Sequence, residues 1–415
     1  MKNLLITNIR GLVQVRPLTS GPLRGAEMST LPTIENAFLE IRDGRIGKFG
    51  PMAEMPDGSG FDVLDANNGF VLPCFVDSHT HLIFPASRED EFVLKIKGAT
   101  YAEIAAKGGG ILNSARKLAH TSEDELFDSA LKRLNEIAAT GTGAVEIKSG
   151  YGLSVEGELK MLRVARRLKQ ESQLTIRTTF LGAHAVPAGM KKDDYVRSVI
   201  DEMIPAVAAE GLADFIDVFC ERGFFSQSDS EAILNAGAAH GMKGRVHANQ
   251  LSRSGGVQAG IRSGAISVDH LENIGEEEIQ LLSASNTIAT ALPGAAFFLN
   301  LPMPPARDLI NANVPLVIAS DYNPGSSPSG NMMQMISLAC IRMRITPEEA
   351  INATTINAAY ALELHDQLGS ITEGKLANVI VTRAIPSIAY LPYAFGSSHI
   401  ARVIVNGNII PAYSA

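Results

Sequence analysis

Between residues 71 and 365 the chain repeats one alternation: a short apolar run, then a stretch of helical pattern. The runs are GFVLPCFVD, AVEIKSG, IRTTFLGAH, FIDVFCE, GRVHANQ, ISVDHLE, TIATALPG and PLVIASDYN. Continuous apolar runs bounded by turn residues suit strands buried on both faces, as in a parallel sheet. Eight strands with helices between them fit a closed (β/α)₈ barrel. An open doubly wound sheet is the alternative, but no GxGxxG follows an early run. Two helix starts carry their own signals. Ser122 and Glu125 form a capping box, and Thr346-Pro347-Glu348-Glu349 places Pro at the first helical position.

Both ends of the chain have another texture. NLLITNI, AFLEIRDGRIGKFG, FDVLDANNGFVL, GKLANVIVTRA and IARVIVNGNII read as short strands, with turn dipeptides at Asp43-Gly44 and Asn406-Gly407. Neither end is long enough for a convincing domain. The simplest architecture is a small discontinuous β-sandwich, residues 1–70 plus 366–415, into which the barrel of residues 71–365 is inserted.

Charge and cysteine content narrow the function. A net charge of −8 speaks against a nucleic-acid partner, which wants a basic face. Hydrophobic residues make up 46% of the chain, too many to leave unburied, so extensive disorder is excluded. Cys74, Cys220 and Cys340 lie far apart without CxxC spacing, which argues against a disulfide framework or a cysteine-based zinc site. The N-terminal apolar stretch is too short for a signal peptide, and no run of about 18 apolar residues could span a membrane. The expectation is a cytoplasmic protein with no membrane partner.

The chemistry-bearing residues fall on or at the ends of the runs. His79 and His81 end the first, Lys148 the second, His184 the third and Glu221 the fourth. His247 lies on the fifth, His270 on the sixth, and Asp321 ends the eighth. In a (β/α)₈ barrel the C-terminal strand ends form the mouth of the active site. Residues i and i+2 of an extended segment face the same way, so His79 and His81 can grip one cation. A third imidazole and a carboxylate from other strands would complete the set and leave room for water. By itself an HxH pair reads equally as two surface histidines; its place at the end of the first run favours the metal.

These segments resemble the amidohydrolase superfamily, and more narrowly the imidazolonepropionase family. The resemblance rests on HTHLIFPASREDEF (79–92), KGGGILNSARKL (107–118), EIKSGYGLS (146–154), TTFLGAHAVP (178–187), DVFCERGFFS (217–226), HANQLSRSGG (247–256) and DYNPGSSPSGNM (321–332). It implies metal ligands at His79, His81, His247 and Asp321, holding one zinc or iron ion per subunit. It implies substrate contacts at Arg88, Tyr151, His184, Gln250, Asn323, Gly325 and Ser326, and catalytic roles for Asp321 and His270. The implied substrate is 4-imidazolone-5-propanoate, hydrolysed at its cyclic amide, and the implied assembly is a homodimer.

Two positions depart from the family pattern. Many relatives carry glutamate where this chain has Gln250, and a glutamine cannot accept a proton as a glutamate does. Pro85-Ala86 stands where the family usually has two glycines. Other residues carry plainer readings beside the functional ones. Arg88 lies in the charged run Ser87–Glu91 and reads equally as a solvated side chain. Lys148 reads as a structural lysine paired with Glu146 or a loop carboxylate, rather than a carbamylated bridge between two metals. Glu221 leaves a second metal open. Tyr151 could pack against the rim, and His120, His240, His365 and His399 read as surface or core fillers. A base deaminase is a competing enzyme class, but it would want a glutamate near His247. A catalytically dead binding barrel is the non-enzymatic reading, and the intact ligand positions speak against it.

Overall fold

The computed structural model describes residues 3–18, 21–99 and 109–411. The beginning of KGGGILNSARKL, Lys107 and Gly108, therefore lies outside the described residues. All eight apolar runs form strands: β6 (Phe75–Asp77), β7 (Thr142–Lys148), β8 (Thr175–Ala183), β9 (Phe215–Cys220), β10 (Lys243–Ala248), β11 (Ser267–His270), β12 (Ile288–Ala291) and β13 (Leu316–Ile318). They pair in chain order, and every neighbouring pair is parallel. Strands β6 and β13 close the ring just beyond their ends. There the Asp321 N–H donates to the His79 carbonyl at 3.0 Å and the His81 N–H to the Tyr322 carbonyl at 2.9 Å. The seam of the barrel thus runs through three of the four expected metal ligands.

Helices cover the outside. Glu123–Ala139 turns Leu126, Phe127, Ala130, Leu134 and Ile137 inward, the spacing of one helical face. Both expected caps are present. Ser122 Oγ accepts the Glu125 N–H at 3.2 Å while Glu125 accepts the Ser122 N–H at 2.9 Å, and Thr346 and Glu349 exchange the same pair of bonds.

The two β-rich ends meet in one mixed eight-stranded sheet. Its strands are β1 (Leu4–Val13), β2 (Thr33–Arg42), β3 (Arg45–Pro51), β4 (Asp62–Asp65), β5 (Phe70–Pro73), β14 (Val379–Thr382), β15 (Ile400–Val405) and β16 (Asn408–Ile409). β5 joins the halves, pairing parallel with β1 and antiparallel with β14. Hydrogen bonding therefore runs unbroken from one half to the other. Asp43-Gly44 and Asn406-Gly407 are its tight turns, with both residues at positive φ, as two-residue hairpin loops prefer. Side chains alternate between its faces. Ile380 and Val403 join the large barrel cluster, while Val379 and Ile404 join a separate cluster with Ile6 and Leu39.

Candidate active site

The floor of the barrel mouth is a cage of four atoms. His79 Nε2 lies 3.1 Å from His247 Nε2, which lies 3.2 Å from His81 Nε2. Asp321 Oδ1 sits 3.7 Å from the first ring and 3.5 Å from the third. All four residues are buried. His79 Nδ1 is 2.7 Å from Asp269 Oδ2, and His247 Nδ1 is 2.9 Å from Asp217 Oδ2. The Asp269 hydrogen bond holds the His79 ring proton on Nδ1, the nearby Asp217 carboxylate favours the same tautomer for His247, and the Nε2 lone pairs are left facing one another. Lone pairs at that separation repel unless a cation lies between them. Asp321 Oδ1, buried and without a hydrogen-bond partner among the described residues, points into the same space. With metal–ligand bonds of about 2.1 Å, tetrahedral ligand atoms are about 3.4 Å apart, and the observed separations bracket that value. The donor set therefore fits a metal ion. His270 belongs to an overlapping group with His79 and His247. Its Nδ1 lies 3.4 Å from Glu272, and although burial opposes a charged ring, Glu272 and Asp321 outweigh it and shift His270 upward.

Beneath the cage lies a layer of buried charge that the apolar runs conceal. Lys148 Nζ lies 2.6 Å from Glu146 and 2.8 Å from Asp217, and Arg245 Nη2 lies 3.3 Å from Asp269. Burial works against the Lys148 charge, but Asp217 and Glu146 more than offset it. Lys148 is thus a structural lysine, as expected, though its second partner is a strand carboxylate and not a loop one. Asp217, Asp269 and Arg245 were missed. The available signal was an ionisable residue in the middle of a run otherwise fit for a two-sided buried strand, which demands a partner.

Above the floor opens a cavity of about 580 Å³. Arg88, Tyr151, His184, Gln250, Asn323, Gly325 and Ser326 all line it, together with His81, His247, His270 and Asp321. Loops present them. Glu158, fully buried, accepts the N–H groups of Gly150, Gly152 and Leu153 at 2.8–2.9 Å and so fixes the turn that carries Tyr151. Gly150 has φ +112°, and a Cβ there would come within 2.9 Å of His184 Nδ1, so glycine is required. His184 Nδ1 donates to the Gly150 carbonyl at 2.9 Å, and its ring stacks on His81 at 5.1 Å. Burial, reinforced by His247, pushes the His184 ring down to about 3. It is a neutral imidazole with Nε2 free to accept.

Glu221 turns away from the cage. It accepts the N–H groups of Leu251 at 2.8 Å, Ser252 at 3.2 Å and Arg222 at 2.8 Å, and also the Ser252 hydroxyl. It anchors the loop that presents Gln250. No side-chain bond of Gln250 is found among the described residues, and its backbone carbonyl accepts from Asn273 at 2.7 Å. The Asn323 amide is spent within its own loop, donating to the Asp321 carbonyl and Ser326 Oγ and accepting from Gly325 and Ser326. Arg88 is not a solvated member of its charged run. Its side chain is 9% exposed, and Nε and Nη2 bind Glu91 at 3.0 and 2.6 Å. Three rim residues, Asn249, His270 and Asp321, sit at positive φ of 56°, 86° and 54°. Such strain in side-chain-bearing residues clusters at functional sites. Of the remaining histidines, His120 and His240 end helices at the surface, His365 stacks on Tyr360 at 3.9 Å, and His399 Nε2 donates to the Ala394 carbonyl at 3.1 Å.

A parallel barrel whose rim carries this cage defines the class, and the chain belongs to the amidohydrolase family, whose model matches residues 70–410. The same barrel is seen in an adenosine deaminase from Xanthomonas campestris with bound zinc, at a TM-score of 0.72 and 17% identity, covering 98% of this chain and 92% of that one. Guanine deaminase of E. coli superposes at 0.72 with 15% identity, covering 100% of both chains. At such identities the likeness concerns the fold alone. Within the family, the chain groups with the imidazolonepropionases. That of Christiangramia forsetii is 50% identical over 409 residues, covering 98% of this chain and 100% of the relative. That of Flavobacterium johnsoniae is 50% identical over 408 residues (98% and 99%), and that of a Shewanella species, strain ANA-3, 45% over 385 (91% and 93%).

Proposed function

We propose that the chain hydrolyses the cyclic amide of 4-imidazolone-5-propanoate to N-formimidoyl-L-glutamate, with one zinc or iron ion held by His79, His81, His247 and Asp321. The observation that carries this reading is the meeting, in one cavity, of the donor residues His81, His247 and Asp321 at the floor, with His79 packed against them, and Arg88 on the wall. Imidazole and carboxylate ligands suit either metal. When bound, the ion supplies Lewis acidity toward the ring carbonyl and lowers the pKa of the attacking water.

The chain's own residues do the rest. His184 Nε2, an acceptor by virtue of its Nδ1 bond, receives a ring N–H. Gln250 offers both a donor and an acceptor to the ring. Tyr151 closes the ring's edge beside His81 and His184. Arg88 takes the propanoate carboxylate. Water adds its oxygen to the ring carbonyl carbon, the carbon–nitrogen bond breaks, and the nitrogen leaves with a proton. Burial lifts the Asp321 carboxyl to about 6, and Oδ2 accepts from the Ser326 hydroxyl at 3.3 Å. That oxygen accepts the water's proton and returns it to the departing nitrogen. His270 stands beside it as an electrostatic partner.

Asn323, Gly325 and Ser326 form the wall between Asp321 and Arg88. The proposal includes a homodimer in the cytoplasm, without nucleic-acid or membrane partners. Net charge is −8, and among the described residues no helix is long and apolar enough to cross a membrane. The test is metal analysis of purified protein alongside imidazolonepropanoate turnover. One equivalent of metal and chelator-sensitive turnover are expected. Full turnover after proven metal loss would overturn the reading.

A further inference from the structure

The wall that receives the substrate's tail has an unusual charge balance. Arg88 spends its Nε–Nη2 edge on Glu91, so the pair is neutral as a unit. Glu91 is itself fastened by the Gly110 N–H at 3.1 Å and the Asn113 amide at 3.3 Å, and does not swing away cheaply. An incoming carboxylate at Arg88 therefore shares one guanidinium with a carboxylate already in place. Electrostatic attraction at this wall must come from elsewhere.

Lys95 supplies it. It lies on the helix Glu89–Ile96 and lines the same cavity. Its Nζ donates to the Gly325 carbonyl at 3.1 Å, and among the described residues it forms no close ion pair, the Glu91 carboxylate acting on it from farther off. Arg88 lies against the same glycine, for a Cβ on Gly325 would lie 2.3 Å from Arg88 Nη1. The two cations thus converge on Gly325. Burial first, then Arg88, hold the Lys95 ammonium below its usual range against the opposing pull of Glu91, a stress that an anion between them relieves. The Phe298 ring, 5.9 Å from Nζ, backs the lysine with its π face.

We infer that Lys95 is a second substrate-binding cation, which together with Arg88 Nη1 clamps the carboxylate tail over Gly325 and makes the site selective for anionic over neutral side chains. This rests on the substrate reading above, and it adds the residue that gives the tail subsite its net charge.

The experiment compares holoenzyme with the Lys95→Met and Lys95→Arg variants on two substrates, 4-imidazolone-5-propanoate and its uncharged propanamide analogue. Loss of a charge-assisted contact predicts that Lys95→Met lowers kcat/KM for the carboxylate by about ten- to a hundredfold, mainly through KM. The amide should change by less than about threefold, and Lys95→Arg should recover most of the lost activity. A parallel fall on both substrates would mean Lys95 only latches its helix to the Gly325 loop, and unchanged kinetics would remove it from the site; either overturns the inference. Glutarate-induced thermal stabilisation of each variant is the readout independent of turnover. If the wild type hydrolyses neither compound while glutarate still stabilises it in a Lys95-dependent way, the anion subsite stands and the substrate reading fails. If glutarate stabilises wild type and Lys95→Met equally, the inference fails whatever the turnover.

Discussion

Replacing Glu221 by glutamine separates two roles for a carboxylate at the end of β9: ligand of a second metal, or anchor of the Gln250 loop. Its two oxygens take four donors, from Arg222, Leu251 and twice from Ser252. A glutamine keeps one oxygen and, whichever way it is turned, presents an NH₂ to at least one backbone N–H that cannot accept. At least one charge-assisted bond disappears, worth about 1.5–3 kcal/mol, and a buried donor is left facing a donor. The damage is confined to a loop fastened to β9, so the barrel should stay folded while residues 249–252 loosen. Gln250 rides on that loop, and kcat/KM should fall by about ten- to a hundredfold. The assays are steady-state kinetics, hydrogen exchange across 249–252, and metal content, which should stay at one ion per chain. If the wild type holds two ions and the variant one, Glu221 is a ligand and the anchoring argument is wrong. Unchanged exchange and kinetics would refute it equally.

Three further outcomes are expected. His247→Ala should lose its metal by elemental analysis yet keep a native circular dichroism spectrum, because Asp217 stays paired with Lys148 at 2.8 Å and no buried charge is stranded. Gln250→Glu should hold activity within about tenfold, or about 1.4 kcal/mol, whereas Gln250→Ala should cost more because the ring loses both its donor and its acceptor. A histidine pushed down to about 3 is neutral at every working pH, so His184→Gln should raise KM without altering the shape of the pH–rate profile above pH 5; a lost acidic limb would assign His184 a proton-carrying role.

The barrel was readable because its strands are buried on both faces, which turns each into an unbroken apolar run. His79, His81, His247, His270 and Asp321 were readable because they interrupt those runs at the rim. The supporting charges were not. Asp217, Arg245 and Asp269 sit in mid-strand with partners distant in sequence, so no local pattern pairs them, whereas Glu146 lies two residues from Lys148 and could be paired with it. Glu158, and the anchoring role of Glu221, were hidden for a related reason. Each acts on backbone N–H groups, which leave no mark in side-chain identity. Lys95, on a helix rich in charge, is indistinguishable in sequence from a solvated lysine until its helix is placed against Gly325. Continuity of the terminal sheet depended on the register of β5 against β14, a pairing across nearly the whole chain.

That pairing has a consequence in time. β5 leaves the ribosome about 300 residues before β14. At about 5–20 residues per second, roughly fifteen seconds to a minute passes with one edge of β5 unpaired. The barrel strands all emerge in that interval, so the catalytic rim is complete in chain order before the sheet is. A chain stopped short of residue 379 would carry every cage residue and still expose the edge of β5, with its row of free N–H and C=O groups, to any strand able to pair with it. Translation that halts late is therefore more hazardous for this protein than its intact active site suggests, because the final strands act as the seal on an edge laid down at the start.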